Sequence, residues 1–345
     1  MRILAVKTHA AGDLLLATPA FRALRRGFPA ADFVLVTGFA NAELAPCLPG
    51  FAAYMFVDEV ALLRRDLRAA YDFYKNMRTS RADKLVLFQP TPRLSRLLSW
   101  TGIPVYAPTA GKPPKYLAGA APWVPNGDKY VAANYVEVAV AAGGQADGLD
   151  LDCVIPDDVA AAAALTGWPE DEPYAVVVPS GGRNAREEVP AKIPPPALFS
   201  KVLALIAGEA GRAVCLIGGA GDVAVCEKLA AAAPGRVVSL AGRTTVAEAA
   251  RVIAGAAYVI TVDSLPMHLA AAFKRPTLAL FGPSNPRALL NAEGSVTAVT
   301  PALACAPCYA NGPFPPCRQP AKFACREQLP WNAIQDFIQR QEGKG

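Results

Sequence analysis

The chain has 345 residues, of which 53% are hydrophobic and 18% charged, a composition typical of a globular protein and not of a disordered one. Its length allows two domains of ordinary size, and no apolar run reaches the roughly 18 residues that a membrane-spanning helix needs. The formal net charge of +5 is modest and no nucleic-acid-binding motif accompanies it, so we expect no nucleic-acid partner.

The first part of the chain alternates short apolar runs with amphipathic stretches. The N-terminal run is too short for a signal peptide, which predicts a cytoplasmic protein. Periodicity predicts strands at 2–8, 32–38, 52–57, 84–89 and 103–107 and helices at 14–28 and 130–144. This alternation indicates a parallel sheet flanked by helices, and we assign residues 1–160 to one Rossmann-like domain.

The same pattern restarts after a segment rich in Pro and acidic residues at 156–173, which also contains a short predicted helix. Strands are expected near 174, 213, 237, 258 and 277, and a helix is expected after each of the first four. Residues 173–330 therefore form a second domain of the same class. The last segment, 331–345, is expected to be an amphipathic helix that packs back on the N-terminal domain.

The sequence "TVDSLPMHLAAA" at 261–272 lies where a predicted strand gives way to a helix. Ser264 is a good N-cap, and Pro266 fits the first helical turn. A helix N-terminus at the carboxyl end of a parallel strand binds anions, and His268 in the first turn adds a donor. The alternative is that Asp263 and Ser264 only cap the helix while His268 packs internally.

The loop "HAAGDLL" at 9–15 is at the corresponding place after the first strand. Gly12 permits a tight turn, and Asp13 begins the next helix, either as a functional acid or as an ordinary first-turn carboxylate. The loop is not a dinucleotide fingerprint, because G-x-G-x-x-G is absent. Both histidines of the chain, His9 and His268, fall in such loops.

Other loops follow the strands of the second domain. Ser180 and Gly181 come after its first strand, and Lys192, a little further on, is suited to bind a phosphate as a point charge. Asp222 follows the next strand, where it suits ribose hydroxyls or a helix cap. Two doubly wound domains, each with such loops at its strand ends, predict a ligand between them.

The runs "LLLATPAFRALRRGFP", "LAGRTTVAEAARVIAGAAYVIT" and "DSLPMHLAAAFKRPTLALFGPSNP" together resemble glycosyltransferase family 9, the bacterial heptosyltransferases of lipopolysaccharide core assembly. The resemblance implies a GT-B fold, with two Rossmann-like domains facing across a cleft. It implies inverting transfer of heptose from ADP-heptose without a catalytic metal. Asp13 aligns with the catalytic aspartate, Lys192 with a donor-phosphate lysine, and Asp263, Ser264 and His268 with the donor-binding motif.

The chain departs from the family pattern at several positions. Leu265 stands where a glycine usually follows the Asp-Ser pair, and His9 and Ala10 stand where small serines usually precede Gly12. The tryptophan that is common after the loop lysine is missing, and Pro194 lies nearby instead. These changes concern which sugar is bound. They do not remove the catalytic aspartate, Asp13, or the anion site at the start of the helix that follows Ser264. Ser180, Gly181, Asp222 and Leu265 complete the expected donor site.

Basic residues are concentrated in the first half, which has 17 Lys and Arg against 12 Asp and Glu, whereas residues 151–345 have 17 of each. An anionic partner is therefore expected at the N-terminal domain. We assign Arg64, Arg65 and Arg68, together with His9, to an anionic glycolipid or glycan acceptor at the inner membrane surface. The alternative is an ordinary solvated helix face.

Four of the eight cysteines are bunched, at Cys305, Cys308, Cys317 and Cys325. A Cys-x2-Cys pair followed by two more thiols approaches the spacing of a structural metal site, with free thiols or a disulfide as the alternatives. Two further readings of the whole chain remain open at this point. One is the same fold with another donor or a protein acceptor, and the other is a catalytically degenerate binding or scaffold protein.

Overall fold

The structure is a computed structural model that describes residues 1–124, 129–168, 171–181, 189–309 and 314–343. Gly182, which follows Ser180 and Gly181 in the loop after the first strand of the second domain, lies outside the described residues. The chain forms two compact units. The first comprises Met1–Val154 with Arg287–Leu289, and the second comprises Ile155–Pro286 with Leu290–Gly345.

The first unit is built on a parallel sheet, six-stranded within the described residues, with spatial order β3-β2-β1-β4-β5-β6. Its strands are β1 (Arg2–Val6), β2 (Asp32–Gly38), β3 (Ala53–Val57), β4 (Lys84–Leu87), β5 (Val105–Thr109) and β6 (Gly119–Pro122). The order reverses between β1 and β4, where Ile3 is paired with Phe33 on one side and Lys84 on the other. The carboxyl ends of strands at such a switch point are where doubly wound sheets bind ligands.

The helices around this sheet are α1 (Ala11–Leu16), α2 (Thr18–Gly27), α3 (Glu59–Leu63), α4 (Leu67–Thr79), α5 (Pro92–Ser99) and α6 (Val131–Ala141). The single helix expected at 14–28 is thus two helices that meet at Ala17. Pro19 lies in the first turn of α2 and has no N–H to donate backwards, and the Thr18 hydroxyl donates instead to the Leu15 carbonyl at 2.7 Å.

Strand β6 is not predicted by the sequence. Its residues, Gly-Ala-Ala-Pro, lack the β-branched and aromatic side chains that favour strands. The strand exists because it pairs with β5 at the edge of the sheet, with Tyr106 opposite Gly119. Proline is tolerated there because an edge strand needs only one row of hydrogen bonds.

The second unit repeats the topology, with a parallel sheet in the order β12-β11-β10-β7-β8-β9 over the described residues. Its strands are β7 (Tyr174–Val178), β8 (Ala213–Leu216), β9 (Val237–Ser239), β10 (Tyr258–Val262), β11 (Thr277–Leu280) and β12 (Val296–Val299). The switch point lies between β7 and β10. The two sheets confirm the predicted α/β class of two doubly wound Rossmann-like units.

The helices of this part of the chain are α7 (Ala162–Thr166), α8 (Pro196–Leu203), α9 (Val223–Ala232), α10 (Val246–Gly255), α11 (Leu265–Ala272), α12 (Pro286–Leu289), α13 (Ala324–Glu327) and α14 (Trp331–Glu342). A π-helical turn, Ala204–Glu209, continues α8. None of the described helices is both long and apolar enough to cross a bilayer.

The final helix differs from its prediction in where it packs. We expected α14 to pack on the N-terminal domain. Instead Ile334, Phe337 and Ile338 are buried in the core of the second unit. Glu342 at its end accepts hydrogen bonds from Arg212 at 2.7 Å and from the Tyr258 hydroxyl at 2.6 Å. The apolar stripe and this polar anchor together assign α14 to the second unit.

Candidate active site

The first candidate site lies at the carboxyl ends of β1 and β4. Gln89, which follows β4, accepts a hydrogen bond from the Thr8 N–H at 3.0 Å through its side-chain oxygen. Its amide nitrogen lies 3.0 Å from the Thr8 hydroxyl. Because both residues are buried, these bonds fix the start of the loop that contains His9 and Asp13.

Asp13 lies in the first turn of α1, with about two-fifths of its side chain exposed. The residue before this helix, Ala10, provides no side-chain cap, so Asp13 is a first-turn carboxylate and not the N-cap. Its Oδ2 lies 3.4 Å from the ammonium of Lys7, whose side chain is only 2% exposed. A carboxylate that is partly open to solvent and paired on its inner side has one oxygen available to a substrate.

Lys7 is the last residue before this loop, and its ammonium has several partners. It donates to the His9 carbonyl as well as contacting Asp13, and it lies 5.9 Å from the centre of the Tyr135 ring. His9 is half-buried, and its Nδ1 lies 3.0 Å from the Thr8 hydroxyl. The buried ammonium therefore connects the two residues that the sequence singles out in this loop.

The second candidate site lies at the carboxyl ends of β7 and β10, the switch point of the other sheet. Gly181 passes so close to β10 that a Cβ atom there would be 2.7 Å from Ser264 Cβ and 2.8 Å from Val262 Cγ2. No larger residue fits without displacing these side chains. The close approach places the Ser180–Gly181 loop against the Asp263–Ser264 loop, as the sequence suggests.

Lys192 and Asp263 form an ion pair at the centre of this site. Their Nζ and Oδ2 atoms are 2.6 Å apart, and the side chains are 15% and 7% exposed. Burial alone would raise the pKa of the Asp263 carboxyl, but the adjacent Lys192 ammonium lowers it below its ordinary value, with help from Ser284 and His268. The structure thus brings together Lys192 and the Asp263 motif, which lie far apart in the sequence.

The start of α11 differs from the predicted capped helix. Ser264 precedes the helix in extended conformation, but its hydroxyl makes no cap and donates instead to the Val262 carbonyl at 3.2 Å. Ser264 thus occupies the predicted N-cap position, but the predicted side-chain cap is wrong. Pro266 has no N–H and the Met267 N–H donates to the Ser264 carbonyl at 3.1 Å, so the Leu265 N–H and the positive end of the helix dipole are what favour an anion here. Leu265 is the half-buried first residue of the helix, and His268 is buried, at 4% exposed.

Two further predicted donor residues lie at neighbouring strand ends. The hydroxyl of Ser180 is buried and has no hydrogen-bond partner among the described residues. An orphaned buried hydroxyl is costly unless a ligand or water supplies its partner. Asp222, after β8, accepts a hydrogen bond from the Gly219 N–H at 2.9 Å, so at least one of its oxygens serves the loop itself.

The predicted acceptor arginines lie around the start of α4 in the first unit. Arg64, Arg65 and Arg68 are all exposed. Leu67 and Tyr71, one turn apart on the same helix, are 86% and 61% exposed. The segment therefore presents cationic and apolar side chains to solvent side by side.

The four bunched cysteines line one cavity of about 300 Å³, together with Ala191 and Pro283. All four are free thiols. Cys305 and Cys317 accept hydrogen bonds from Gln319 at 3.1 Å and from the Phe323 N–H at 3.3 Å. Over the described part of the chain, no three His, Cys, Asp or Glu side chains are arranged to bind a metal ion. The structural metal is not confirmed and stays a prediction, which metal analysis of the purified protein would test.

Sequence reasoning missed several residues of these sites. Lys7 and Gln89 were not selected, although a polar residue at the end of a buried apolar run is a signal that both carry. Ser284 follows β11 in the same way and lies beside Asp263. Tyr309, which contacts Lys192 from a distant segment, had no signal in the sequence.

Comparison with known proteins agrees with the resemblance stated above. Residues 145–313 match the family described as "Glycosyltransferase family 9 (heptosyltransferase)". The matched segment includes Ser180, Lys192, Asp222 and the Asp263–His268 motif, so the resemblance is confirmed for the part of the chain that contains the second site.

Among curated proteins, the chain is 40% identical over 102 residues to lipooligosaccharide heptosyltransferase 2 of Haemophilus influenzae. That alignment covers 28% of this chain and 29% of the relative, so the chain spans less than a third of the length of this relative. The identity is local, and it shows no more than a shared segment.

Two solved structures share the whole fold. One is the E. coli ADP-heptose lps heptosyltransferase II, with a TM-score of 0.75 and 17% identity over 100% of this chain and 99% of that one. The other is an E. coli heptosyltransferase with ADP, with a TM-score of 0.69 and 20% identity over 99% and 100% of the two chains. At these identities the likeness establishes the GT-B type of fold alone.

Proposed function

We propose that this chain is an inverting glycosyltransferase of lipopolysaccharide core assembly or of a related glycan, and that it transfers heptose from ADP-heptose. The observation that supports this most directly is that the family 9 match, residues 145–313, contains the buried Lys192–Asp263 pair and the start of α11, where Ser264 makes no side-chain cap. A cation next to a helix N-terminus is suited to a diphosphate.

The donor is proposed to bind to the second unit. The Lys192 ammonium would contact the diphosphate, with the Leu265 N–H at the start of α11 as a further donor. The Ser180 hydroxyl, which has no hydrogen-bond partner within the described parts of the chain, would gain one in a donor oxygen. Charge that develops on the leaving diphosphate is thereby stabilised by groups that are already in place, which is the largest effect available to such an enzyme. No metal takes part in the proposed step.

The acceptor is proposed to bind to the first unit, with Asp13 as general base. Inversion at the anomeric carbon requires that an acceptor hydroxyl loses its proton as it attacks the face opposite the leaving group. A carboxylate within hydrogen-bond distance of that hydroxyl accepts the proton. The partly exposed Asp13, paired on its inner side with Lys7, is suited to this role.

The acceptor surface is proposed to include Arg64, Arg65 and Arg68, with His9 nearer the base. The exposed Leu67 and Tyr71 beside these arginines support an anionic glycolipid at a membrane surface, because cationic residues next to exposed apolar ones are typical of interfacial binding. The proposed location is the cytoplasmic face of the inner membrane.

The direct test is a transfer assay with ADP-heptose and a lipopolysaccharide core acceptor that lacks its heptose. We expect release of ADP that depends on the acceptor. If ADP is released only by slow hydrolysis of the donor and the acceptor has no effect, the chain is still a glycosyltransferase, but the proposed acceptor is wrong. Absence of both reactions in a protein that binds ADP would favour the degenerate binding protein instead.

A further inference from the structure

The segment around Tyr309, which also contains Cys305 and Cys308, lies directly against Lys192. The Lys192 ammonium is 5.2 Å from the centre of the Tyr309 ring and 2.6 Å from Asp263 Oδ2. An ammonium at this distance is attracted by the negative face of an aromatic ring, more strongly where water is excluded. The lysine therefore has two partners of different kinds, a carboxylate and a ring.

The main chain of Tyr309 is tied to the same site. The N–H groups of Cys308 and Tyr309 both donate to the Pro283 carbonyl at 2.9 Å. Ser284 and Tyr309 form an isolated parallel bridge. Because Ser284 lies beside Asp263, the loop after β11 fixes the backbone of Tyr309 relative to the carboxylate that pairs with Lys192.

The ring and the lysine turn are also packed in place. The Tyr309 ring lies 5.4 Å from that of Phe314. On the other side, a Cβ atom at Gly282 would be 2.6 Å from the Ala191 carbonyl oxygen, so the turn that contains Lys192 packs directly on the loop after β11. The turn that precedes the Lys192 side chain and the backbone of Tyr309 are thus both packed against the same short loop, 281–284.

We propose that Tyr309 is a positioning residue for the donor: its ring fixes the Lys192 ammonium beside Asp263 before the diphosphate binds. The inference rests on the proposed function for the identity of the donor. Lysine has a long flexible side chain, and ordering it only when the ligand arrives would weaken binding. A ring that orders it in the free protein removes that loss.

The test compares Tyr309→Leu, which removes the ring, with Tyr309→Phe, which keeps it. Tyr106→Leu is the matched control, because Lys84 lies 4.6 Å from the Tyr106 ring in the first unit. By calorimetric titration with ADP we expect Tyr309→Leu to lose roughly 3- to 30-fold in affinity. Tyr309→Phe and Tyr106→Leu should keep the wild-type affinity for ADP. In steady-state kinetics, the KM for the donor should rise in Tyr309→Leu while kcat changes little.

A second measurement does not depend on the donor. The rate of Lys192 acetylation by a small activated ester, without nucleotide, is compared by mass spectrometry with that of Lys112, an exposed lysine of the first unit. We expect the ratio to rise several-fold in Tyr309→Leu and to stay constant in Tyr309→Phe. If the wild-type protein binds no ADP, the donor assignment fails, while this ratio still decides whether the ring fixes the lysine.

An acetylation ratio in Tyr309→Leu equal to that of the wild type would overturn the inference, whatever the ADP affinity. A raised ratio with unchanged ADP affinity would overturn the role in donor binding. Equal losses in Tyr309→Leu and Tyr309→Phe would assign the effect to the hydroxyl group and not the ring. Melting temperatures check that each variant folds, and Tyr309→Met, of similar volume and without a ring, replaces Tyr309→Leu if that variant does not.

Discussion

Single carboxylates have different surroundings in the two units. Asp13 is partly open to solvent and contacts Lys7 at 3.4 Å, whereas Asp263 is buried and contacts Lys192 at 2.6 Å. An exposed carboxylate can accept a proton from a substrate, while a buried one paired with a cation serves mainly to fix that cation. The same chemical group is therefore proposed as a base in one unit and as a structural partner in the other.

The role of Asp13 is tested by Asp13→Asn, which keeps the size of the side chain and removes the proton acceptor. General-base catalysis contributes about 10²- to 10⁴-fold, so kcat should fall by that factor. ADP affinity should change little, whereas the melting temperature should fall, because the Lys7 ammonium, only 2% exposed, loses its charged partner. A variant with more than roughly a tenth of the wild-type kcat would show that Asp13 is not the base, and loss of activity through unfolding alone would make it a structural carboxylate.

The role of Asp263 is tested by Asp263→Asn, which leaves the nearly buried Lys192 ammonium without its charged partner. Breaking such a pair costs about 3 kcal/mol of unfolding free energy, measured by urea denaturation at pH 7. Asp222→Asn is the control, because its carboxylate is half-buried and accepts from the Gly219 N–H without a lysine partner as close as that of Asp263, and we expect a loss of about 1 kcal/mol or less. Equal losses in both variants would contradict the importance assigned to the ion pair.

The lowered pKa of Asp263 gives this difference a pH dependence of known sign. A carboxyl whose pKa is lower in the folded chain contributes stability above its unfolded pKa of about 3.9, and loses it as the pH falls through the folded value. The gap in unfolding free energy between the wild type and Asp263→Asn should therefore be constant near neutral pH and shrink below about pH 4. A gap that widened on acidification would mean that the pKa is raised.

At the scale of elements, α4 has an unusual surface and contains part of the proposed acceptor site. Phe73 and Met77 bury one face of the helix in the core of the first unit. The opposite side exposes Leu67 and Tyr71, and Asp66 caps the helix by accepting from the Ala69 N–H at 2.8 Å. The inner face and the N-cap of the helix therefore stabilise its fold. The exposed residues on its outer face are not needed for folding and can serve binding.

Replacing Arg64, Arg65 and Arg68 together with serine tests this surface. All three are exposed, so their loss should not affect folding. We expect a higher acceptor KM and a weaker dependence of that KM on salt, with ADP affinity unchanged. The control is the serine triple of Lys201, Lys228 and Arg340, which are exposed in the second unit and change the net charge equally. If both triple-serine variants change the acceptor kinetics equally, the arginines act only through the net charge of the protein and do not form a specific acceptor site.

At the scale of the whole molecule, the two units repeat one topology but differ in charge. The first 150 residues contain the entire net charge of +5, and the rest of the chain is balanced. Long-range attraction of an anionic acceptor is therefore a property of the first unit, while the second unit depends on a few buried charges. This division agrees with the proposed assignment of acceptor and donor.

The nucleotide preference is a property of the intact protein, and a thermal-shift panel of ADP, UDP and GDP with their sugars measures it. A ligand that binds only the folded state raises the melting temperature in proportion to the logarithm of its concentration over Kd. We expect ADP and ADP-heptose to give the largest shifts. A larger shift with UDP would exclude ADP-heptose as the donor, while the assignment as a glycosyltransferase would still stand.

The order of strands and helices was determined by the sequence alone. Apolar runs of five or six residues, such as that ending at Val262, and amphipathic stretches, such as Trp331–Glu342, show their type through local periodicity. Because functional loops of parallel sheets follow the strand ends, the same pattern also located Asp13, Ser180 and Asp263. The exceptions include α5 and β12, for which no element is predicted, and β6, whose residues form a strand only because the neighbouring β5 offers hydrogen bonds.

Only the tertiary structure decided which of these loops are in contact with each other. Strand adjacency at the two switch points depends on how the chain crosses the sheet, and this crossing has no local periodicity that a sequence could display. The contacts of Lys7 with Asp13, of Lys192 with Asp263 and of Tyr309 with Lys192 all depend on such placement. So does the packing of α14, because its apolar stripe specifies that it must be covered but not by which unit.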